Sequence, residues 1–214
     1  MKNYFIPKQK IINETHVKGS KFITYIWRAK KTEDATSFIA NLKVEHFKAP
    51  HVCSAFVAGD PGDSRVLGFS DDGEPSGTAG KPMLAVLQGS EIGQIAAAVV
   101  RYFGGTKLGT GGLVRAYAGA VKAGLEKLPK IYKQEMTKLK LIYPYSKKAI
   151  VDKFLSDVEF HNLATDYAAD ISHSIVLPTK ISQKISQEIY DLLNAQIEIN
   201  NLGDYDFDKL IQNQ

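Results

Sequence analysis

Two glycine-rich stretches organise the sequence: residues 70–82 read SDDGEPSGTAGKP, and residues 101–112 read RYFGGTKLGTGG. In each stretch, charged side chains adjoin glycines that come just before a segment with helical character. Glycine lets the backbone approach a partner closely and adopt positive φ values. The N–H groups at the start of each following helix are suited to bind an anion. We therefore predict that the two stretches form one surface site for an anionic ligand.

The basic residues of this region have two interpretations. They could contact phosphates of RNA or of a nucleotide, or they could pair with the nearby acids and with helix ends. We favour phosphate contact because charge, glycines and helix starts coincide. The full set of predicted ligand-binding residues is Asp71, Asp72, Glu74, Gly77, Thr78, Gly80, Lys81, Arg101, Tyr102, Gly104, Gly105, Lys107, Gly109, Gly111, Gly112 and Arg115.

The acids Asp71, Asp72 and Glu74 also leave two roles open. Oxygen ligands suit Mg²⁺ beside a phosphate, whereas turn formation and pairing with Arg101 are equally familiar uses of such residues. The turn role is the stronger of the two. We predict no catalytic residue, no resident cofactor and no metal site, with Mg²⁺ as the one ion that these acids could ligate.

His51 and Cys53 are two residues apart on a predicted strand, so their side chains share a face. A Cys–His pair can act as a nucleophile, but a lone cysteine is usually a small buried apolar residue. We expect Cys53 to be structural. Because Cys53 is the only cysteine in the sequence, no internal disulfide can form, and a reducing compartment is the natural location.

Charge is distributed unevenly along the chain. Residues 1–148 carry 23 Lys and Arg against 12 Asp and Glu, whereas residues 149–214 carry 4 against 11. A basic first part indicates an anionic partner such as RNA or the ribosome, although two domains with different solvated faces would give the same pattern. The sequence also leaves a protein partner as an alternative.

The sequence shows no sign of a membrane or export segment. Its longest apolar run, residues 95–100, is far too short to cross a bilayer. The first residues lack the apolar core of a signal peptide. We expect a cytoplasmic protein without a membrane partner.

Two familiar phosphate-binding motifs do not fit the glycines. A P-loop requires Ser or Thr after Gly-Lys, but Pro82 follows Gly80 and Lys81. The dinucleotide fingerprint requires a third glycine at the position that Val114 occupies. Neither nucleotide-binding fold is predicted.

Hydrophobic periodicity predicts an α+β protein with two domains, residues 1–130 and 137–214, divided near residues 130–136. In the first domain we expect strands at 9–15, 21–29, 51–58, 65–70 and 92–102, with helices from 32, at 81–88 and at 113–128. Residues 127–148 hold seven lysines and one acid, and they show no packing pattern before residue 139. The second domain follows the order strand 139–143, helix 146–156, strands 159–167 and 170–177, helix 180–195 and strand 197–201. That βαββαβ order predicts a ferredoxin-like fold.

Several strings of residues closely resemble the IMPACT/YigZ family. They are VVRYFGGTKLG at 99–109, DDGEP at 71–75 and GTAG at 77–80, with HVC at 51–53 and GGLVRAY at 111–117. The resemblance spans about residues 16–128. The remainder resembles the ferredoxin-like C-terminal domain of the bacterial members, through weaker motifs.

The resemblance implies a fold for each domain. The first would be similar to the second domain of certain ribosomal proteins and of GHMP kinases, a mixed sheet with helices. The second would be similar to the last domain of elongation factor G. Eukaryotic members regulate translation by competing for the activator of a kinase that phosphorylates an initiation factor. That kinase pathway is absent from bacteria, and the two-domain layout resembles bacterial members.

Three functions follow as hypotheses. The first is a translation-linked regulatory binding protein that contacts RNA, the ribosome or a phosphate-bearing ligand through the glycine-rich basic site. The second is a Mg²⁺-dependent nucleotide or phosphoryl enzyme. The third is a protein-interaction regulator without a small ligand. The fold argument for translation is an analogy, because one fold hosts many functions.

Overall fold

A computed structural model describes residues 3–212 and shows an α+β protein, as predicted. The chain divides into two compact units. The N-terminal unit is Tyr4–Tyr132. The C-terminal unit includes Asn3 and begins at Lys133, which ends a short strand whose other residues belong to the N-terminal unit.

The N-terminal unit is built around an antiparallel sheet. Its elements in chain order are β1 (Tyr4–Pro7), β2 (Ile11–Val17), β3 (Ser20–Arg28), α1 (Thr32–Glu45), β4 (His51–Val57), β5 (Leu67–Ser70), α2 (Gly80–Gly89), β6 (Ile95–Tyr102), α3 (Thr110–Glu126) and β7 (Lys130–Lys133). The main sheet has the order β2-β3-β6-β4-β5, and β1 pairs with β7 in a second, smaller sheet.

The central strand β6 shows why this unit has a layer on each face of the sheet. Successive strand residues point to opposite faces, and residues 95–100 are all fully buried. Ala97 and Val99 pack in the cluster that contains residues of α2 and α3, whereas Ala98 and Val100 pack in the cluster that contains residues of α1. Arg101 follows on the α2 and α3 face, opposite Phe22 of β3.

The C-terminal unit has the predicted βαββαβ order. Its elements are β8 (Met136–Tyr143), α4 (Lys148–Ser156), β9 (His161–Tyr167), β10 (Ile171–Pro178), α5 (Thr179–Leu192), β11 (Glu198–Tyr205) and α6 (Phe207–Gln212). The antiparallel sheet has the order β11-β8-β10-β9. Leu139 and Leu141 of β8 pack with Val151 of α4 and Ile189 of α5, so both helices cover one face.

Some predicted boundaries were wrong. The lysine-rich segment does have structure, because β7 lies within it and β8 begins at Met136, three residues before the predicted strand. Helix α3 begins at Thr110, so Gly111 and Gly112 lie in its first turn rather than in the preceding loop. Helix α6 was not predicted; its Leu210 packs against Met136 and Val176.

No helix within residues 3–212 combines the length and apolar character needed to span a membrane.

Candidate anion-binding site

The loop between β5 and α2 is held together by the carboxylate of Asp71. Its Oδ2 accepts the N–H of Gly77 at 2.8 Å, and its Oδ1 accepts the N–H groups of Ala79 and Gly80 at 3.0 and 2.8 Å. Burial opposes ionisation of Asp71, but the three N–H donors outweigh it and hold the pKa of that carboxyl below its ordinary value. The start of α2 is therefore already occupied by an internal anion, which differs from our expectation that it would face a ligand.

The same loop is fixed to the neighbouring strand by Asp72. One carboxylate oxygen of Asp72 accepts the N–H of Val52 at 2.7 Å, and the other pairs with Lys43. His51 donates from Nδ1 to the carbonyl oxygen of Asp72 at 2.9 Å. Gly80 lies so close to β5 that a Cβ there would come within 2.7 Å of the backbone of Ser70. These contacts give the acids at 71 and 72 structural roles.

Glu74 and Arg101, one from each glycine-rich stretch, form a buried ion pair. Nη1 of Arg101 donates to Oε1 of Glu74 at 2.7 Å, and the two side chains are 8% and 4% exposed. The hydroxyl of Tyr117 donates to the same oxygen at 2.8 Å. Desolvation, together with the nearby Cys53 and Glu74, raises the pKa of Tyr117 and keeps it protonated. Arg101 also lies 5.7 Å from the ring centres of both Phe22 and Phe103.

A pocket of about 290 Å³ opens beside this ion pair. It is lined by Glu74, Pro75, Arg101, Phe103, Lys107, Leu108, Gly109, Thr110 and Leu113. The N-cap of α3 is Gly109, which has no side chain to bond the first N–H groups of that helix. Nε of Arg101 is buried and makes no hydrogen bond with any part of residues 3–212. An arginine, a lysine and an open helix N-terminus therefore line one pocket.

The structure separates the predicted site residues into three groups. Glu74, Arg101, Lys107 and Gly109 line the pocket. Asp71, Asp72, Gly77, Thr78 and Gly80 shape the loop, with the Thr78 hydroxyl donating to the carbonyl of Pro75 at 2.6 Å. The lining does not include Lys81, Tyr102, Gly104, Gly105, Gly111, Gly112 or Arg115.

Two of the residues outside the pocket have clear structural roles instead. Tyr102 packs with the α1 cluster, and its hydroxyl lies 2.8 Å from Nδ1 of His46. A Cβ on Gly104 would lie 1.9 Å from the carbonyl carbon of Gly19, so Gly104 is needed where the loop after β6 crosses the β2–β3 turn.

The predicted set of ligand-binding residues did not include five residues that line the pocket: Pro75, Phe103, Leu108, Thr110 and Leu113. A signal for Phe103 was present, because strand alternation places it on the same side as Arg101 if β6 is extended by one residue. Leu113 lies in the first turn of α3, so its place in the lining could be predicted only if the start of that helix were known.

Cys53 is fully buried, and its Sγ donates to the carbonyl oxygen of Asp71 at 3.0 Å. Burial raises the pKa of the Cys53 thiol to about 12. The thiol is therefore protonated near neutral pH, and His51 is bonded to Asp72 rather than to sulfur. This environment suits a structural cysteine and not a nucleophile. Among residues 3–212, no three His, Cys, Asp or Glu side chains are grouped so that they could hold a metal ion.

The fold and pocket define a two-unit α+β protein in which a buried arginine lines a pocket of the N-terminal unit. The model of the Impact N-terminal domain matches residues 18–125, which contain the pocket. An IMPACT family member of Haemophilus influenzae is 43% identical over 202 residues, covering 94% of this chain and 98% of the relative. The Escherichia coli IMPACT family member YigZ is 39% identical, covering 93% and 98% of the two chains. The chain belongs to the IMPACT family.

A solved structure supports the same assignment of fold. It is the crystal structure of a protein described only as hypothetical, and it is 39% identical to this chain with a TM-score of 0.63. The match covers 93% of this chain and 97% of the other.

Proposed function

We propose that this protein is a translation-linked regulatory binding protein that contacts a phosphate group of RNA or of the ribosome through the Arg101 pocket. One observation carries the proposal: Arg101 and Lys107 line the same pocket as the open N-terminus of α3. The chain belongs to the IMPACT family. The sequence resemblance connects the eukaryotic members of that family with translation, which is why we place the proposed binding role in translation.

The chemistry of the pocket favours an oxyanion. Guanidinium binds two oxygens through its planar fork, which an ammonium group cannot reproduce. Lys107 adds a second positive charge at the lining. The pairing of Nη1 with Glu74 fixes the orientation of the guanidinium before any ligand arrives.

The enzyme hypothesis has less support from the same residues. Asp71 and Asp72 already accept backbone N–H groups, and Glu74 is bonded to Arg101 and Tyr117. Ligation of Mg²⁺ would require these carboxylates to give up bonds that hold the loop. A binding role needs no such rearrangement.

The test compares Arg101→Lys with the parent protein in ribosome sedimentation and in binding to single-stranded RNA, each at two salt concentrations. Arg101→Lys keeps the charge and loses the fork, so we expect binding to weaken roughly 10- to 100-fold, the range for hydrogen bonds to a charged group. Binding by the parent should also fall steeply as salt rises.

Arg65→Lys is the matched control, because Arg65 is exposed and pairs only with Asp63 two residues away among the described contacts. It should bind as the parent does. Thermal unfolding of both variants shows whether the fold is kept. If folded Arg101→Lys binds ribosomes and RNA as tightly as the parent, the proposal is wrong.

A further inference from the structure

The rim of the Arg101 pocket carries an aromatic side chain that phosphate binding alone does not explain. Phe103 is 55% exposed although it is large and apolar. It lines the pocket, and its ring centre lies 5.7 Å from Cζ of Arg101. An exposed ring beside a phosphate-type site is suited to stack on a nucleobase, whose flat face is apolar in every base.

The charge of the lining indicates which kind of phosphate fits. Arg101 and Lys107 are positive, Glu74 is negative, and the start of α3 adds about half a positive charge. The Glu74 carboxylate is already bonded to Arg101 and Tyr117 and is directed at them. The net charge of about +1.5 complements a terminal phosphate monoester, which carries about −1.5 to −2 near pH 7. A phosphodiester within a strand carries only one negative charge.

The size of the pocket agrees with a single nucleotide unit. Its volume of about 290 Å³ lies at the lower end of the range for small-molecule sites. Leu108 and Leu113 supply apolar wall on the side of α3. A phosphate at Arg101 with its sugar against this wall would leave the base at the rim, where Phe103 lies.

We propose that the pocket binds the terminal phosphate of a nucleotide whose base stacks on Phe103. The nucleotide is either free or the end of an RNA strand. This inference rests on the proposed function and narrows it from any phosphate to a terminal one. Three other ligands should therefore bind less tightly than this nucleotide. Inorganic phosphate has no base to stack on Phe103, and an internal phosphodiester has only one negative charge. A peptide carboxylate has neither a base nor a second negative charge.

The experiment measures dissociation constants for inorganic phosphate, adenosine, adenosine 5′-monophosphate and a single-stranded RNA hexamer with and without a 5′- or 3′-phosphate. We expect the monophosphate to bind more tightly than phosphate or adenosine, and an end-phosphorylated hexamer to bind more tightly than the unphosphorylated one. If adenosine 5′-monophosphate binds more tightly than the end-phosphorylated hexamer, the ligand is a free nucleotide; if the hexamer binds more tightly, the ligand is the end of an RNA strand.

Phe103→Leu tests the stacking step. Loss of one stacked base costs roughly 5- to 150-fold in affinity, so the preference for adenosine monophosphate over inorganic phosphate should fall by that factor. Phe69→Leu is the matched control, because Phe69 is similarly exposed at 51% and lies on β5 outside the pocket. It should retain the preference of the parent.

Separate results would overturn the inference and the proposed function. Equal binding of phosphorylated and unphosphorylated hexamers would refute the inference, as would tighter binding of an acidic peptide than of adenosine monophosphate. Neither result would refute the proposed function, because that function is tested separately by the effect of Arg101→Lys on ribosome and RNA binding. An unchanged preference in Phe103→Leu would refute stacking.

Discussion

The two units bury polar groups in different ways. The N-terminal unit buries an ion pair, Glu74–Arg101, with both side chains more than 90% covered. The buried polar side chains recorded for the C-terminal unit are Thr137, His173 and Ser182. The ion pairs recorded for that unit, Lys148–Asp152 and Lys184–Glu188, are surface pairs one helical turn apart. Burying two charges costs several kcal/mol each before their attraction is counted, so the N-terminal unit gives up stability where it builds its pocket.

The largest effect should come from breaking the buried pair. Glu74→Ala leaves the Arg101 charge buried without its partner, and we expect the N-terminal unit to lose about 3–5 kcal/mol of unfolding free energy. The double variant Glu74→Leu with Arg101→Leu should recover much of that loss because no charge remains buried. Trp27, the only tryptophan in the sequence, lies in the N-terminal unit, so its fluorescence during urea unfolding reports this unit. A loss below about 1 kcal/mol would contradict the prediction.

The second prediction tests whether the units are independent. Leu141 is 1% exposed in the core of the C-terminal unit, so Leu141→Ala should cost that unit about 2–5 kcal/mol by leaving a cavity. If the units unfold separately, circular dichroism will show an early transition while the midpoint of Trp27 fluorescence stays unchanged. A shift of both signals together would show that the two units unfold as one.

A smaller effect is expected at Asp71. Asp71→Ala removes the acceptor of three N–H groups, including those at the start of α2, and should cost about 0.5–2 kcal/mol. Because the pKa of Asp71 is lowered in the folded state, its contribution is present above the unfolded pKa and is lost as pH falls through the folded value. The stability difference between parent and variant should therefore shrink below about pH 4. A difference that stays constant to pH 2 would refute this role.

The smallest effect is a pH dependence confined to the C-terminal unit. Desolvation lowers the pKa of His173, which is 7% exposed. The unfolded chain then binds the proton more readily, so this unit should lose stability as pH falls below about 6.5, the ordinary pKa of histidine. His173→Leu should weaken that pH dependence. His16→Leu is the control, because His16 is exposed, and it should leave the pH dependence unchanged. Stability that does not change between pH 7 and pH 5 would contradict the prediction.

The sequence predicted most of the architecture because the deciding signals are local. Pro82 is tolerated only in the first turn of a helix, which agrees with the helix predicted at 81–88; the observed α2 begins one residue earlier, at Gly80. The periodicity of the second half was sufficient for the βαββαβ order. Helix α6 was not predicted because it has only six residues and because its position depends on the contact of Leu210 with strands that are distant in sequence.

The candidate site was harder to predict because its roles depend on partners far apart in sequence. Nothing local indicates that Asp71 would bond the amide of Gly80, nine positions later, rather than a ligand. Grouping Arg101 with Tyr102 ignored strand alternation, which sends them to opposite faces of the sheet. The importance of Glu74 as the partner of Arg101 was among the alternatives that the sequence left open.

The contact between Gly104 and Gly19 has a consequence for how this site can diverge. Main chain meets main chain there, and the N–H of Gly104 lies 3.2 Å from Oγ of Ser20. The segment that carries Phe103 and Lys107 is thus anchored to the sheet without using either of those side chains. Substitutions at 103 or 107 would therefore change the exposed surface of the pocket without removing this backbone contact, so the side chains there can vary among relatives while the loop keeps its anchor.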